Sequence, residues 1–409
     1  MRVAVLVEYF PPRMGSDRRI YELMRRLVGK HEVNFLLIPP FRELCGMVIS
    51  ETYSFSNTME NLYIHKGIIV YRVEIPKIIK RLWRSSLELA YVLSMVLLIP
   101  RVIRRLKKID PQIVILNYPS VYTGMLGFFA AKFLRRCCVV DFNDLIAQYT
   151  IRLLNLKKSS LVGRIIVFVQ DFIVKNSDVV ITATNFIRRY AVALGVKDRN
   201  IFIVPNGVDM RVFNSKLELK SNYRSKLNLS NKKVCLYFGR LDDWAGIHII
   251  AELCNIFEKK RSDVKFLIVG RGTERVEFPR NVIKIEEVPH HKIPKIIAIA
   301  DVVLIPFPES EVSHAASPLK LFEAMAMAKP VVGSKVNGIK EIIQSQYNGL
   351  LADPSNLKEW VEAISTILDS KSASMKLSQN ARESVKKYDW NTLALQFENA
   401  LLRTKKCNT

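Results

Sequence analysis

Residues 313–334 read SHAASPLKLFEAMAMAKPVVGS, and the interpretation of the whole chain starts from this stretch. Ser317 is a favourable N-cap residue, and Pro318 suits the first position of a helix because its missing N–H would be unpaired there anyway. The run that continues to Ala328 favours a helix, and Pro330 ends it. The stretch therefore predicts a capped helix from about Pro318 to Ala328, followed by a short apolar strand.

The start of this predicted helix has the chemistry of an anion site. Its first turn offers unpaired backbone N–H groups at the positive end of the helix dipole, with Lys320 beside them and Glu323 one turn further on. A nucleotide diphosphate needs donors for its phosphates and an acceptor for its ribose hydroxyls, and both are present. An ordinary amphipathic helix that binds nothing explains the same residues, so the stretch alone leaves both interpretations open.

A family resemblance adds to this interpretation. The segment SPLKLFEAMAMAKPVV resembles the donor-binding helix of glycosyltransferase family 4, the large retaining group with the GT-B fold, in the subgroup that carries Ser-Pro-Leu-Lys before the glutamate. The resemblance implies an α/β protein of two Rossmann-like domains, whose parallel sheets face a central cleft. The donor-binding residues that it implies within this helix are Ser317, Pro318, Leu319, Lys320 and Glu323.

The length of 409 residues also favours two domains, since it exceeds what one hydrophobic core usually serves. Apolar strands, such as Arg2 to Glu8, alternate with helical segments, which indicates parallel sheets covered on both faces. We expect a first domain over 1–200 and a second over 201–386. From the resemblance, the first binds the acceptor, the second binds the nucleotide sugar, and a final helix at about 387–405 packs back on the first.

The second predicted domain opens with VCLYFGRLDDWAG, residues 234–246. Arg240 comes where the family places an arginine on the donor diphosphate, and the fork of a guanidinium suits paired phosphate oxygens. The family has a second cation, a lysine, directly before Gly246, but Ala245 stands there in this chain. Our hypothesis is that Lys320 supplies the missing charge.

A glycine turn follows the next predicted strand of this domain. FLIVGRG at 266–272, with Glu274 after it, resembles the family's strand and turn beside the nucleotide. Gly270, Gly272 and Glu274 are therefore further donor-binding candidates. Ordinary turn geometry explains a lone Gly-x-Gly equally well.

The catalytic candidates come from two loops. VVDFNDLIAQ at 139–148 resembles the family stretch in which an aspartate opens the cleft-facing loop, so Asp141 and Asp144 are candidates for contacting the acceptor or acting as a base. Helix capping is the competing explanation, and it ranks level for Asp144. His314 is a candidate for contact with the transferred sugar, beside Ala315, which stands where the family has the first of two glutamates. A solvated loop histidine is the alternative.

The loop after the first strand offers one more candidate. Family members usually carry two glycines there, which allows the backbone to approach the donor phosphate or the acceptor. This chain has Gly15 and Ser16, so the match is partial. A plain strand-to-helix turn explains Gly15 equally well.

The net charge of +24 is concentrated in the first half, where residues 1–200 hold 31 Lys and Arg against 15 Asp and Glu, a net charge of +16. Leu87 to Pro100 is almost wholly apolar, but its roughly 14 residues are too few to span a bilayer. This run would suit a membrane interface or a buried helix, and both remain open. The basic residues that flank it are Lys77, Lys80, Arg81, Arg84, Arg101, Arg104, Arg105, Lys107 and Lys108.

Cysteine usage and the N-terminus give expectations about location and metals. The six cysteines form no Cys-x-x-Cys pair and have no histidine partner at zinc spacing, so we expect a reducing compartment and no structural metal. The N-terminal apolar strand lacks a small-residue cleavage site. We therefore expect a cytoplasmic protein, peripheral on the inner face of the cell membrane.

Together the sequence and the resemblance predict a retaining hexosyltransferase that needs no cofactor. Its donor would be a UDP- or GDP-type sugar, its acceptor a glycan or lipid-linked precursor of a cell-surface glycan, and its location an anionic membrane surface. One alternative is a nucleotide-sugar epimerase of GT-B architecture, and another is a non-catalytic basic protein that binds membrane or nucleic acid. No aromatic–basic motif of a nucleic-acid module is visible, so we expect no nucleic-acid partner.

Overall fold

The computed structural model describes residues 1–12, 15–38, 62–74, 76, 78–79, 87–215, 223–272 and 276–404. The chain divides into two compact units, one formed by Met1–Val204 with Leu393–Thr409 and the other by Pro205–Thr392. Each unit is built on its own, mainly parallel β-sheet, which confirms the predicted α/β class.

The described residues of the first unit form eight strands: β1 (Arg2–Val7), β2 (Glu32–Leu37), β3 (Leu62–His65), β4 (Ile68–Arg72), β5 (Ile113–Leu116), β6 (Cys137–Phe142), β7 (Val179–Thr182) and β8 (Ile201–Ile203). They pair in the order β3-β4-β2-β1-β5-β6-β7-β8, and every pair is parallel except β3 with β4. Every residue of β5, β6 and β7 is buried, as expected for a parallel sheet with helices on both faces.

The helices described in this unit are α1 (Gly15–Met24), α2 (Leu87–Ile109), α3 (Thr123–Phe133), α4 (Ile146–Leu153), α5 (Leu161–Asn176) and α6 (Asn185–Ala193). Helix α3 packs on β1, β5 and β6, and it also contacts both α2 and α5. No helix within the described ranges is both long enough and apolar enough to cross a membrane.

The apolar run predicted at 87–100 lies in α2. Within α2, Leu98, Val102 and Leu106 are fully buried, whereas Val96 is exposed. One face of α2 therefore serves the core of the first unit, and the opposite face meets solvent. The basic residues predicted on its N-terminal side, Lys77, Lys80, Arg81 and Arg84, lie outside the described residues.

The described part of the second unit has six strands: β9 (Lys233–Phe238), β10 (Val264–Val269), β11 (Val282–Ile285), β12 (Val302–Ile305), β13 (Val331–Ser334) and β14 (Leu350–Ala352). They pair in the order β11-β10-β9-β12-β13-β14, all parallel. Side chains of β9 alternate between two cores: Val234, Leu236 and Phe238 join one cluster, and Cys235 and Tyr237 the other.

The helices described in the second unit are α7 (Tyr223–Lys226), α8 (Ile247–Lys260), α9 (Ile293–Ala298), α10 (Glu311–Ala315), α11 (Leu319–Ala326), α12 (Asn337–Lys340), α13 (Leu357–Asp369) and α14 (Lys371–Val385). A final helix, α15 (Trp390–Arg403), begins in this unit, and its residues from Leu393 belong to the first. Helix α11 is the helix predicted at 318–328, and Leu321, Phe322 and Met325 bury it in the core.

Candidate functional site

The candidate site lies at the edge of the second sheet where its parallel strands end. The loops after β9 and β10 pack together there, because Gly239 N–H donates to the Val269 carbonyl at 2.9 Å. Gly270 has a φ of +150°, and a Cβ at this position would stand 1.8 Å from the Gly239 oxygen. A Cβ on Gly272 would likewise stand 1.9 Å from the Leu241 oxygen. Both predicted glycines thus permit close packing of two loops, while Glu274 lies outside the described residues.

Arg240 lies on the loop after β9 with an ordered, half-exposed guanidinium. Its Nε donates to Asp242 Oδ2 at 2.7 Å, and the same oxygen accepts from Trp244 Nε1 at 3.3 Å. Asp242 itself is buried, so it holds the guanidinium from the protein side. Among the described residues, the two Nη groups of Arg240 have no hydrogen-bond partner, which leaves the fork open to an anion.

The Tyr237 hydroxyl stabilises the conformation of the loop that carries Arg240. It donates to the carbonyl of Arg240 and, at 3.3 Å, to that of Ala245. Ala245 is buried in a short 3₁₀ turn, Asp243–Ala245. The position of the family's second lysine is therefore occupied here by a small side chain packed into the interior.

Lys320 reaches the same loop from helix α11. Its Nζ lies 4.3 Å from the centroid of the Tyr237 ring and 5.2 Å from that of Phe307, and it would stand 3.8 Å from a Cβ on Gly239. Cation–π attraction to both rings holds the ammonium group beside the Arg240 loop. Burial lowers the pKa of Lys320 to about 7, and the nearby Glu323 carboxylate opposes that shift. The Phe307 ring is itself stacked on Trp244, with centroids 6.1 Å apart.

Glu323 is buried one turn further along α11, and it has a partner that the sequence did not suggest. His290 Nε2 donates to its Oε1 at 2.7 Å, and the edge of the histidine ring packs against Phe213 with centroids 5.3 Å apart. Among the described residues, the second carboxylate oxygen of Glu323 has no hydrogen-bond partner. One oxygen is thus oriented by the protein, and the other remains able to accept from a ligand hydroxyl.

The start of α11 corrects the predicted cap. The N-cap residue is Pro318, whose ψ of 125° keeps it outside the helix, so Ser317 lies too far back to cap it and that prediction was wrong. The Ser317 carbonyl accepts from Asn206 Nδ2 at 2.6 Å, and its buried Oγ has no partner among the described residues. Helix α11 therefore begins at Leu319 without a side-chain cap, and its first-turn N–H groups keep the anion-binding character predicted for them.

His314 lies on the short helix α10 with both ring nitrogens engaged. Nδ1 accepts from the Asn337 N–H at 3.1 Å, and Nε2 donates to Glu309 Oε1 at 2.5 Å. These contacts favour the tautomer with its proton on Nε2. Ala315 next to it is fully buried, and its side chain offers no polar contact at the position of the family's first glutamate.

In the first unit, the prediction that Asp141 opens a loop was wrong, since Asp141 lies within β6, whereas Asp144 follows that strand. The two carboxylates have different surroundings. Asp141 has no exposed surface, and its Oδ2 accepts from Arg19 Nε at 2.9 Å while its Oδ1 accepts from Arg19 Nη2 at 3.0 Å. Asn143 Nδ2 also donates to Asp141 Oδ2 at 3.2 Å. In this structure the Asp141 carboxylate thus pairs with a buried arginine from helix α1.

The carboxylate of Asp144 accepts fewer hydrogen bonds than that of Asp141. Asp144 Oδ1 accepts from the Leu145 N–H at 2.8 Å, and burial raises the pKa of its carboxyl to about 6. The N-cap position of α4 is Leu145, without a side-chain cap hydrogen bond, so Asp144 does not cap that helix in the usual way. Gly15, the other candidate in this unit, is the exposed first residue of α1.

Five residues of the second-unit site were not predicted from the sequence: Tyr237, Asp242, Trp244, His290 and Phe307. A partial signal existed for the first three, since aromatic and acidic residues flank Arg240 within VCLYFGRLDDWAG. His290 and Glu323 are 33 residues apart in sequence, so no local pattern predicts that they pair.

Two family models match the chain. A "Glycosyl transferase 4-like domain" matches residues 14–207, and "Glycosyl transferases group 1" matches residues 220–384. The chain is 23% identical over 171 residues to the alpha-D-kanosaminyltransferase of Streptomyces kanamyceticus, covering 40% of this chain and 43% of that protein. It is 28% identical over 220 residues to the lipopolysaccharide 1,2-N-acetylglucosaminetransferase of Salmonella typhimurium, covering 49% of this chain and 56% of that protein. The chain thus spans about half the length of these curated relatives.

Solved structures share the fold over nearly the whole chain. HepE of Anabaena, crystallised with UDP-glucose, superposes with a TM-score of 0.71 at 18% identity, covering 98% of this chain and 99% of that one. At this identity the likeness establishes the GT-B fold and no more.

Proposed function

We propose that this chain, whose two domains are glycosyltransferase domains with the GT-B fold, moves a hexose with retention of configuration from a nucleotide diphosphate to an acceptor. The donor we propose is a UDP or GDP sugar. The acceptor we propose is a lipid-linked precursor of a cell-surface glycan.

One observation carries the donor half of this proposal: Arg240, Lys320 and Glu323 converge at the carboxyl edge of a single sheet. Arg240 and Lys320 flank Gly239 with their cationic groups, and Glu323 lies one turn beyond Lys320 with one oxygen available. This set matches the two polar parts of a nucleoside diphosphate, since cations and helix N–H groups suit the phosphates and a carboxylate suits the ribose hydroxyls.

The same residues account for leaving-group stabilisation. When the bond between the anomeric carbon and the β-phosphate oxygen breaks, negative charge grows on the diphosphate. A guanidinium and an ammonium already fixed beside that group stabilise the charge without reorganising. The acceptor hydroxyl attacks the anomeric carbon from the face that the diphosphate leaves, which retains the configuration. It releases a proton, for which Asp144 is our candidate base, because a pKa of about 6 suits proton acceptance near neutral pH.

The identity of the nucleotide is tested by thermal shift with UDP, GDP, ADP and dTDP. HepE binds UDP and UDP-glucose, which supports UDP as the first choice for this chain. A ligand at one hundred times its dissociation constant stabilises the native state by about 2.7 kcal/mol, so the correct nucleotide should stand out. If all four leave the melting temperature unchanged at millimolar concentration, the donor site is wrongly assigned.

Retention and acceptor class need a direct assay of the product. The resemblance to Salmonella lipopolysaccharide glycosyltransferase and the net charge of +16 over residues 1–200 support an acceptor presented at an anionic membrane. Transfer of radiolabelled sugar from UDP-glucose or UDP-N-acetylglucosamine into an organic-extractable product tests the acceptor. The anomeric coupling constant of that product by NMR tests retention, and an inverted product would refute the proposed stereochemistry.

The family matches and the relatives favour transfer over the epimerase and over a non-catalytic binding protein. An epimerase would convert the nucleotide sugar without an acceptor, so product analysis in the absence of acceptor separates the two.

We also propose that no metal takes part, with Arg240 and Lys320 supplying the charge that a metal gives other diphosphate sites. The described residues contain no cluster of three or more potential metal ligands among His, Cys, Asp and Glu. Turnover that is unchanged by EDTA would support the proposal, and restoration by added Mg²⁺ after EDTA would refute it.

A further inference from the structure

Helix α5 of the first unit carries apolar side chains on the face that a surface helix normally gives to charged residues. Leu161, Ile165, Phe168 and Phe172 follow the spacing of one helix face, and they are 75%, 50%, 67% and 39% exposed. Their neighbours on the other side of the helix, Ile166, Val169 and Ile173 among them, are buried and already serve the core. The exposed face of α5 is therefore apolar in addition to its core face.

The apolar surface continues onto helix α3. Phe168 stacks on Phe172 with centroids 6.1 Å apart, Phe172 meets Phe128 at 5.6 Å, and Phe128 meets Phe129 at 5.7 Å. Phe129 is exposed, and so is Phe133 one turn further along α3. We call this surface the α3–α5 ridge; its exposed members are Phe129, Phe133, Leu161, Val162, Ile165, Phe168 and Phe172.

The exposed charged residues around the ridge are basic, whereas the acidic Asp171 and Asp178 are only partly exposed. Exposed basic residues lie beside it at Arg135, Lys157, Lys158, Arg164 and Lys175. The four acidic residues between 123 and 178 are otherwise occupied: Asp141 is buried, Asp144 binds the Leu145 N–H, Asp171 accepts from Tyr190, and Asp178 pairs with Lys132. An apolar ridge bordered by cations complements a surface that has hydrocarbon beneath anionic groups.

We infer that the α3–α5 ridge is the surface by which the first unit inserts into an anionic lipid bilayer, with α5 lying in the plane of the headgroups. The sequence had suggested the run at 87–100 for this role, but the fully buried residues of α2 show that its inner face belongs to the core. The inference rests on the proposed function in one respect only: the membrane is where a lipid-linked acceptor would reach the enzyme. The recognition itself requires no nucleotide.

The test is co-sedimentation of the full chain with vesicles of phosphatidylcholine and phosphatidylglycerol. We compare the parent with the double variant Leu161→Ser/Phe168→Ser and with a control, Met375→Ser/Leu395→Ser, which removes two other exposed apolar side chains. We expect the ridge variant to partition at least about tenfold more weakly, because each large apolar side chain contributes strongly to burial in lipid, and the control to bind like the parent.

The charge component is tested separately with Lys157→Gln/Lys158→Gln/Arg164→Gln. This variant should lose binding to the anionic vesicles, and binding of the parent should fall as salt rises or when pure phosphatidylcholine is used. Equal binding by parent and ridge variant would overturn the inference. A parent that is dimeric by light scattering and a ridge variant that is monomeric would also overturn it, since the ridge would then join two copies of the chain.

Nucleotide binding, measured by thermal shift on the same variants, separates this inference from the proposed function. Loss of vesicle binding with intact UDP binding supports both. If no nucleotide binds the parent but the ridge variant still binds vesicles more weakly than the parent, the ridge assignment is supported and the donor-site assignment is refuted.

Discussion

The ammonium group of Lys320 lies 4.3 Å from the centroid of the Tyr237 ring, directly beside the loop that carries Arg240. A lysine in this position is held by aromatic rings rather than by a carboxylate partner. The cost of burying it appears as a pKa lowered to about 7. The native fold keeps this lysine although burial disfavours its charged form, and the groups around it suit an anion. Both features are expected of a lysine that binds a ligand.

Replacing Lys320 with methionine should weaken UDP binding at least about tenfold, because a charged hydrogen bond to phosphate contributes about 1.5–3 kcal/mol. The same change should raise the melting temperature near neutral pH. The lowered pKa means that the unfolded chain binds more protons than the native one between about pH 7 and the unfolded value, so the parent gains stability as pH rises through that window and the variant does not. Affinity by calorimetry and melting curves at several pH values measure both effects.

Lys329 provides a matched control for that variant. It is half-buried like Lys320, burial lowers its pKa to about 8, and its Nζ donates to the carbonyls of Ala298 and Ala300 at 2.7 and 2.8 Å. Lys329→Met should leave the dissociation constant of UDP unchanged. A loss of affinity as large as that of Lys320→Met would show that both effects arise from disturbed folding.

UDP affinity should depend on pH in the parent. Bound diphosphate favours protonated Lys320, so above its free pKa of about 7 binding requires proton uptake and affinity falls by up to about tenfold per pH unit. Lys320→Arg keeps its charge throughout and should remove that dependence between pH 7 and 9. A parent whose affinity is constant over this range would show that Lys320 does not contact the phosphates.

The parts of this structure that local sequence determines were predictable. The strand expected at Arg2 to Glu8 is observed at Arg2–Val7, and helix α11 matches its prediction to within two residues. Arg240 could be placed at a strand end because the pattern of an apolar strand followed by glycine is local. A parallel sheet then brings such strand ends to one edge. The hypothesis that Lys320 acts with Arg240 came from the family resemblance, because Ala245 stands where the family has a lysine.

What could not be predicted depends on contacts between distant segments. Arg19 and Asp141 are 122 residues apart in sequence, and only the packing of α1 against the first sheet brings them together. The Ser317 cap was wrong for a local reason: the preference of serine for N-caps competes with an extended Pro318, whose own backbone takes the cap position.

Arg240 and Glu323 should be separable by ligand. Arg240→Ala should weaken UDP binding about ten- to a hundredfold and leave uridine binding unchanged, because in the proposed site its guanidinium binds the phosphates. Glu323→Ala should weaken both ligands, because in the proposed site its carboxylate binds the ribose. Competition binding with UDP and uridine measures the difference. Arg261→Ala is the control, since Arg261 also pairs with an aspartate two residues away but lies just before β10, at the opposite edge of the second sheet, and its loss should change neither affinity.

Asp141→Asn should destabilise the first unit by about 3–5 kcal/mol, because it leaves the Arg19 guanidinium buried without its counter-charge. The exposed pair of Arg188 and Asp198 is the matched control, and Asp198→Asn should cost less than about 1 kcal/mol. Urea unfolding gives both values. If Asp141→Asn unfolds like the parent yet loses turnover, the residue acts in the reaction rather than in the fold.

Asp144→Asn should show the opposite behaviour. The amide oxygen can still accept from the Leu145 N–H, and the variant no longer pays for a buried charge, so stability near neutral pH should be equal or higher. Turnover should fall about a hundredfold or more, the usual contribution of a general base. In the parent, kcat should decline as pH falls through about 6, because the carboxyl becomes protonated there, and this acidic limb should be absent from the residual activity of the variant. A variant that keeps the parent's turnover and its acidic limb would exclude Asp144 as the base and leave the proton of the acceptor hydroxyl to another group.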